Sequence, residues 1–244
     1  MSNTRSINDV AYVLHGVPYK ETSLIVELFC REHGRLPVVA KGAKRPHSGL
    51  RPVLVSFQPL SVRFTGKAEV KTLTQAEWQG GQMAPDGKAL FAAYYLNELL
   101  MRGLGREDSH VELFDLYQET LLGLSNGQDM NVCVRRFEVG LLQTLGYGLD
   151  WSADSSGRAI DPSAEYVWFE ERGWASPDGG GVYFSENNNV KHCVKGEIIT
   201  LVHQGEWSKT VASALKPVTR RLLVAHVAPN GLLSKVWMEH LLKL

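Results

Sequence analysis

No apolar run in these 244 residues approaches the roughly 18 residues of a membrane-spanning helix, so no such helix is expected. Cysteine is scarce. Cys30, Cys133 and Cys193 are odd in number and far apart, and no pair has metal-ligand spacing. Reduced thiols in a cytoplasmic protein are the expectation. The opening stretch MSNTRSINDVAYVL is polar before it is apolar and carries no small-residue cleavage site, so no secretory signal is expected. Enzyme signatures are missing too: there is no phosphate loop, no G-x-S-x-G elbow and no H-E-x-x-H. The histidines are scattered. Asp150, Asp154, Asp161 and Asp178 lie in loop-like stretches where carboxylates ordinarily face water, and no convergent catalytic set is visible. A non-enzymatic protein without cofactor or metal is expected.

Net charge is also absent, with 26 Lys and Arg against 26 Asp and Glu, but the balance hides an asymmetry. Residues 1–80 hold 11 basic against 6 acidic side chains, and residues 81–244 hold 15 against 20. A basic N-terminal part joined to an acidic remainder points to a polyanionic partner for the first part. The asymmetry is sharpest in VVAKGAKRPHSGLRP (Val38–Pro52), where Lys41, Lys44, Arg45, His47 and Arg51 meet no acid.

What is present in the first 80 residues reads as β. Val10, Tyr12 and Leu14 alternate with their neighbours at strand period. GVPYKETS (Gly16–Ser23) reads as a loop, LIVELFC (Leu24–Cys30) as a second strand, and Gly34 marks a tight turn before LPVVA (Leu36–Ala40). After the basic loop, Val53–Phe64 reads as a strand interrupted by Pro59, and Val70–Trp78 closes the region. About five short strands joined by turns predict a small barrel. GGQMAPDG (Gly80–Gly87) reads as a linker. Beyond it the period becomes helical. One helix covers ALFAAYYLNELLMRGL, and a second opens with Ser109 and Glu112 at capping-box spacing. A third runs from about Asn131 to Leu145 and ends at GYG as a glycine cap would. Three helices at short spacing predict a bundle. Residues 150–195 lose the helical period, with EYVWFEERGW and GGGVYFS as strands around turns. Helices resume from Glu206 with a break at Pro217, followed by GLLSKVWMEHLLKL. The expected class is α+β. Its domains are 1–80 as a barrel, 81–149 with 196–244 as a helical part, and 150–195 as a small β insert.

Two patterns are candidate sites. Arg31, Arg35, Lys41, Lys44, Arg45, Arg51, Lys67 and Lys71 gather at turns of the barrel, with Tyr19, Phe57 and Phe64 nearby. Cations on flexible loops can neutralise phosphates while aromatics stack on bases. The alternative is a solvated surface with the aromatics in the core. On the third helix, Val134, Phe137, Leu141 and Leu145 form one apolar stripe, and Val132, Val139 and Leu142 a second, flanked by Arg135 and Arg136. Such a groove could hold an acidic peptide that ends in an apolar residue and a carboxylate. The alternative is that helix neighbours cover the second stripe and the arginines pair with acids. The 150–195 stretch invites zinc, but Cys193 and His192 are its only soft ligands, so none is expected.

VLHGVPYKETSLIVELFCREHGRLPVVAKGAKRP closely resembles the N-terminal signature of the RecO family of bacterial recombination mediators, and RRFEVGLLQTLGYGLD (Arg135–Asp150) resembles that family's second signature. The two segments cover about 50 residues in the expected order; from Trp151 onward the resemblance is weak. It implies an N-terminal five-stranded OB-fold barrel and a helical domain with a small β insert. It also implies binding and annealing of single- and double-stranded DNA, with cooperation with RecR in loading RecA onto SSB-coated DNA. DNA contact then falls to Lys20, Arg31, Arg35, Lys41, Lys44, Arg45, Arg51 and Lys67. The acidic tail of SSB falls to Val132, Arg135, Arg136, Val139 and Leu142. Many members hold zinc through four cysteines after LGYG, whereas LDWSADSSGRAIDP stands here. The expected protein is a cytoplasmic, nucleoid-associated monomer when free. A barrel serving RNA in a translation or ribosome-associated adaptor is the other class to weigh.

Overall fold

The computed structural model describes residues 6–169, 172–176 and 193–234. Five strands close a barrel: β1 (Ile7–Tyr19), β2 (Ser23–Cys30), β3 (Gly34–Ala40), β4 (Leu60–Thr65) and β5 (Lys71–Trp78). Their order is β1-β2-β3-β5-β4, antiparallel except for the β3–β5 pair. Closure follows from β1, which pairs with β2 along one edge and with β4 along the other. The period-2 pattern drives it. Val26, Leu28 and Cys30, Leu36, Val38 and Ala40, and Leu60, Val62 and Phe64 all turn inward into one core. Gly34 makes the β2–β3 turn at φ 64°, and a Cβ there would stand 1.9 Å from the Asp108 carbonyl oxygen, so only glycine fits.

Two helices belong to the same compact unit as the barrel, α1 (Gly87–Gly103) and α2 (Val111–Ser125). Tyr12 and Phe29, on the outer face of β1 and β2, pack against Phe114 and Tyr117 of α2 with ring centroids 5.1–6.0 Å apart. The polar atoms there are satisfied: Asn97 donates to the Leu14 carbonyl at 2.9 Å and accepts from the Tyr117 hydroxyl, while the Tyr12 hydroxyl donates to Gln82. Burial pushes both phenols up from their ordinary pKa. Residues 230–234 join this unit, where Glu98 accepts from the backbone of Leu233 and Ser234.

The second unit is 131–229. It holds nearly all of α3 (Met130–Thr144) and a three-stranded sheet of order β7-β6-β8, formed by β6 (Glu165–Phe169), β7 (Gly173–Ala175) and β8 (Cys193–Lys195). Helices α4 (Gly196–His203) and α5 (Lys209–His226) complete it. The glycine cap of α3 is real: Gly146 has φ 82°, and the Tyr147 N–H reaches back to the Leu142 carbonyl at 2.9 Å.

Several sequence expectations are corrected. GVPYKETS is not a loop, because β1 and β2 continue through it as a hairpin that turns only at Lys20–Thr22. Val53–Gln58 is not strand: Phe57 has φ 71° and is buried against Tyr94, and β4 begins after Pro59. Ser109 forms no capping box; its hydroxyl donates to the Arg31 carbonyl, and His110 stands at the N-cap position of α2 without a side-chain cap bond. Pro217 does not break α5, since Val211, Leu215, Val218 and Leu222 bury a face that runs through it. Helix α4, unread in the sequence, forms from Gly196. GGGVYFS and most of GLLSKVWMEHLLKL lie outside the described residues.

Candidate nucleic-acid interface

The segment between β3 and β4 is a chain of tight turns. The backbone N–H of Arg45 donates to the Gly42 carbonyl, that of Ser48 to Arg45, that of Arg51 to Ser48 and that of Val53 to Leu50, at 3.0–3.3 Å. Gly42, at φ 71°, permits the first. Its apolar residues anchor it: Ala43 is fully buried, and Leu50, Val53 and Leu54 pack against the barrel core. Its basic side chains do the opposite. Lys41, Lys44, Arg45, His47 and Arg51 are all exposed. Turn-by-turn alternation of anchor and cation fixes a positive rim on the barrel, which suits a phosphate backbone. The Lys44 N–H bonds the Thr22 carbonyl at 2.8 Å, so the tip of the β1–β2 hairpin, with Lys20, is tied to this rim. Lys67, exposed, stands on the β4–β5 turn.

Arg31 and Arg35, two of the expected DNA contacts, already have partners within the protein. Arg31 makes a two-pronged pair with Asp115 of α2 at 2.9 and 3.0 Å, and a third bond to Glu32. That pairing raises the Arg31 pKa and lowers that of Asp115. Arg35 donates to the Leu104 carbonyl at 3.1 Å, lies 3.8 Å from Glu27, and is only 14% exposed in its side chain. Glu27 also accepts from Arg106, which pairs with Glu69, and Lys71 donates to Glu107 at 2.7 Å. These basic side chains fasten the segment after α1 to the barrel.

The α3 residues divide similarly. Arg135 is 5% exposed and bonded to Glu138 one turn on and to the Thr219 hydroxyl of α5 at 2.5 Å, so it cannot reach a ligand carboxylate. Leu142 is fully buried and Val139 nearly so, which removes Leu142 from any groove surface. Arg136 is exposed, and Val132 is partly exposed. Beyond them lies an open cleft of about 600 Å³ lined by Val139, Gly140, Gln143, Leu149, Trp151 and His203. Trp151 and His203 carried no signal of their own, since the cleft depends on α4 and on the turn after Gly148.

The segment that follows the α3 cap is held by aspartate–serine bonds. Asp150, Asp154 and Asp161 each accept from the backbone and hydroxyl of the serine two residues on, at 2.6–2.9 Å. These bonds, led by the Ser156 hydroxyl, hold the Asp154 carboxyl down to about pH 2. Among the described residues no group of three or more His, Cys, Asp or Glu could hold a metal ion.

A closed five-stranded barrel of this order, with one parallel closing pair and a cationic rim, defines an OB-fold protein. Comparison with known families agrees and goes further. The family model described as "Recombination protein O N terminal" matches residues 1–81, and "Recombination protein O C terminal" matches residues 84–235. Relatives named DNA repair protein RecO include one from Azoarcus sp., 42% identical over 96% of both chains. Those from Nitrosospira multiformis and Aromatoleum aromaticum are 45% identical over 92% of this chain and 89% of theirs, and 44% identical over 88% and 87%. The chain belongs to the RecO family of DNA repair proteins. Among the described residues no helix is long and apolar enough to cross a membrane.

Proposed function

We propose that this chain is a non-enzymatic mediator of recombinational repair. It binds single- and double-stranded DNA, anneals complementary strands, and with RecR helps to load RecA onto SSB-coated DNA. The observation that carries the proposal is the β3–β4 loop, whose apolar residues are anchored and whose cations face outward without an acid among them. The DNA-binding residues are Lys20, Lys41, Lys44, Arg45, Arg51 and Lys67. Residues 1–80 act as the DNA-binding domain, 81–149 with 196–244 as the partner-binding helical part, and 150–195 as the insert. The protein works as a cytoplasmic, nucleoid-associated monomer. For the SSB tail, the reading rests on Arg136 with Val132 and Val139. Arg136 stands one helical turn before Gly140 on the cleft wall, where a guanidinium can meet a terminal carboxylate.

The test is strand annealing with naked and with SSB-coated complementary oligonucleotides. Lys44→Ala/Arg45→Ala should slow both, whereas Arg136→Ala should slow only the coated reaction. Annealing by wild type no faster than the spontaneous rate would end the proposal.

A further inference from the structure

We infer that Tyr19 is a base-stacking residue that lets the barrel prefer single strands over duplex, an inference that rests on the DNA-binding reading above. A cationic rim alone does not supply this preference. Phosphates are present in both forms, and the duplex has the higher charge density. What differs is that single strands offer unstacked bases with open π-faces.

The barrel spends its aromatics almost entirely on packing. Tyr12, Phe29, Phe57 and Phe64 are each no more than 2% exposed. Tyr19 is 37% exposed, at the end of β1, where His15 to Glu21 are all exposed. The register sets its direction. Pro18 pairs with Leu24, which packs on the barrel core, so its neighbours Val17 and Tyr19, paired with Ile25 and Ser23, project from the opposite face. Val17, 40% exposed, continues the apolar strip below the ring. The turn that presents the ring carries a non-glycine residue, Lys20, at φ 51°. Its ammonium lies over the Tyr19 ring, 5.3 Å from the centroid. The Lys44–Thr22 backbone bond then fixes this tip beside the phosphate-binding rim. A nucleotide reaching the tip therefore meets a π-face and cations together. The barrel's other exposed aromatic among the described residues, Trp78, pairs with Leu60 at the β1 rung of Ala11 and follows Glu77.

The experiment measures affinity of the full chain for a short oligothymidylate, an abasic strand of the same length and a duplex, at several salt concentrations. Wild type, Tyr19→Phe and Tyr19→Leu are compared, with thermal unfolding as a check of fold. Tyr19→Leu should weaken oligothymidylate binding between about 5- and 100-fold, with the salt slope unchanged because no charge is lost. Tyr19→Phe should stay within about twofold of wild type, and the abasic strand and duplex should be bound equally by all three proteins. Equal oligothymidylate affinity for Tyr19→Leu and wild type would overturn the inference. So would a parallel loss on the abasic strand, which would make the residue a support for the backbone-binding rim. Failure of wild type to bind any of the three ligands would instead overturn the DNA-binding reading itself.

Discussion

Under the proposed function, the salt dependence of DNA binding should separate cations that face solvent from cations that hold the fold. The family resemblance points to eight side chains of the first 80 residues, but Arg31 and Arg35 are engaged by Asp115, Glu27 and the Leu104 carbonyl. That leaves Lys20, Lys41, Lys44, Arg45, Arg51 and Lys67 exposed. At about −0.7 per phosphate contact on single strands, full engagement of these gives a log–log slope near −4, against roughly −5.6 if all eight took part. Lys44→Ala/Arg45→Ala should flatten the slope by about 1.4 and leave unfolding unchanged, since both side chains end in solvent. Arg35→Ala should do the reverse. The slope should hold, while stability falls by about 1–3 kcal/mol as the Leu104 carbonyl and Glu27 lose a donor and a counter-charge. The assay is fluorescence anisotropy of a labelled single strand across a salt series, paired with thermal unfolding of each variant. A slope flattened by about 0.7 in Arg35→Ala, with unchanged melting, would refute the division.

The buried pair on α3 predicts that Arg135→Ala lowers stability by about 3–5 kcal/mol by stranding Glu138, whereas Arg136→Ala weakens binding of an SSB tail peptide. Titrating a labelled peptide into both variants decides it. Asp154 has its carboxyl held below the ordinary 3.8, to about 2, so its contribution is complete above pH 4 and is lost as pH falls through 2. Asp154→Asn should flatten acid unfolding in that window, followed by circular dichroism. Chelator treatment should leave the melting temperature unchanged, with no stoichiometric zinc by elemental analysis; retained zinc near one per chain would show ligands among residues outside those described.

Local pattern alone was enough for much of this protein. Alternation of Val26, Leu28 and Cys30 and of Leu36, Val38 and Ala40 put strands in a barrel. The 3.6 period marked α1 to α3, and Gly146 marked the end of α3. The acid-free Val38–Pro52 loop announced a cationic rim, because charge and turn residues act over a few positions. Pattern failed where a distant partner decides. Ser109 has capping-box spacing, yet its hydroxyl is drawn to the Arg31 carbonyl, 78 residues earlier. Arg31 lies 84 residues from Asp115 in sequence, and Arg135 lies 84 from Thr219. An arginine beside a strand or on a helix reads the same whether it meets phosphate or a buried carboxylate. Only closure of the barrel and packing of α2 and α5 bring the acid within 3 Å or the hydroxyl to 2.5 Å; that encounter engages Arg31 with Asp115 and buries Arg135.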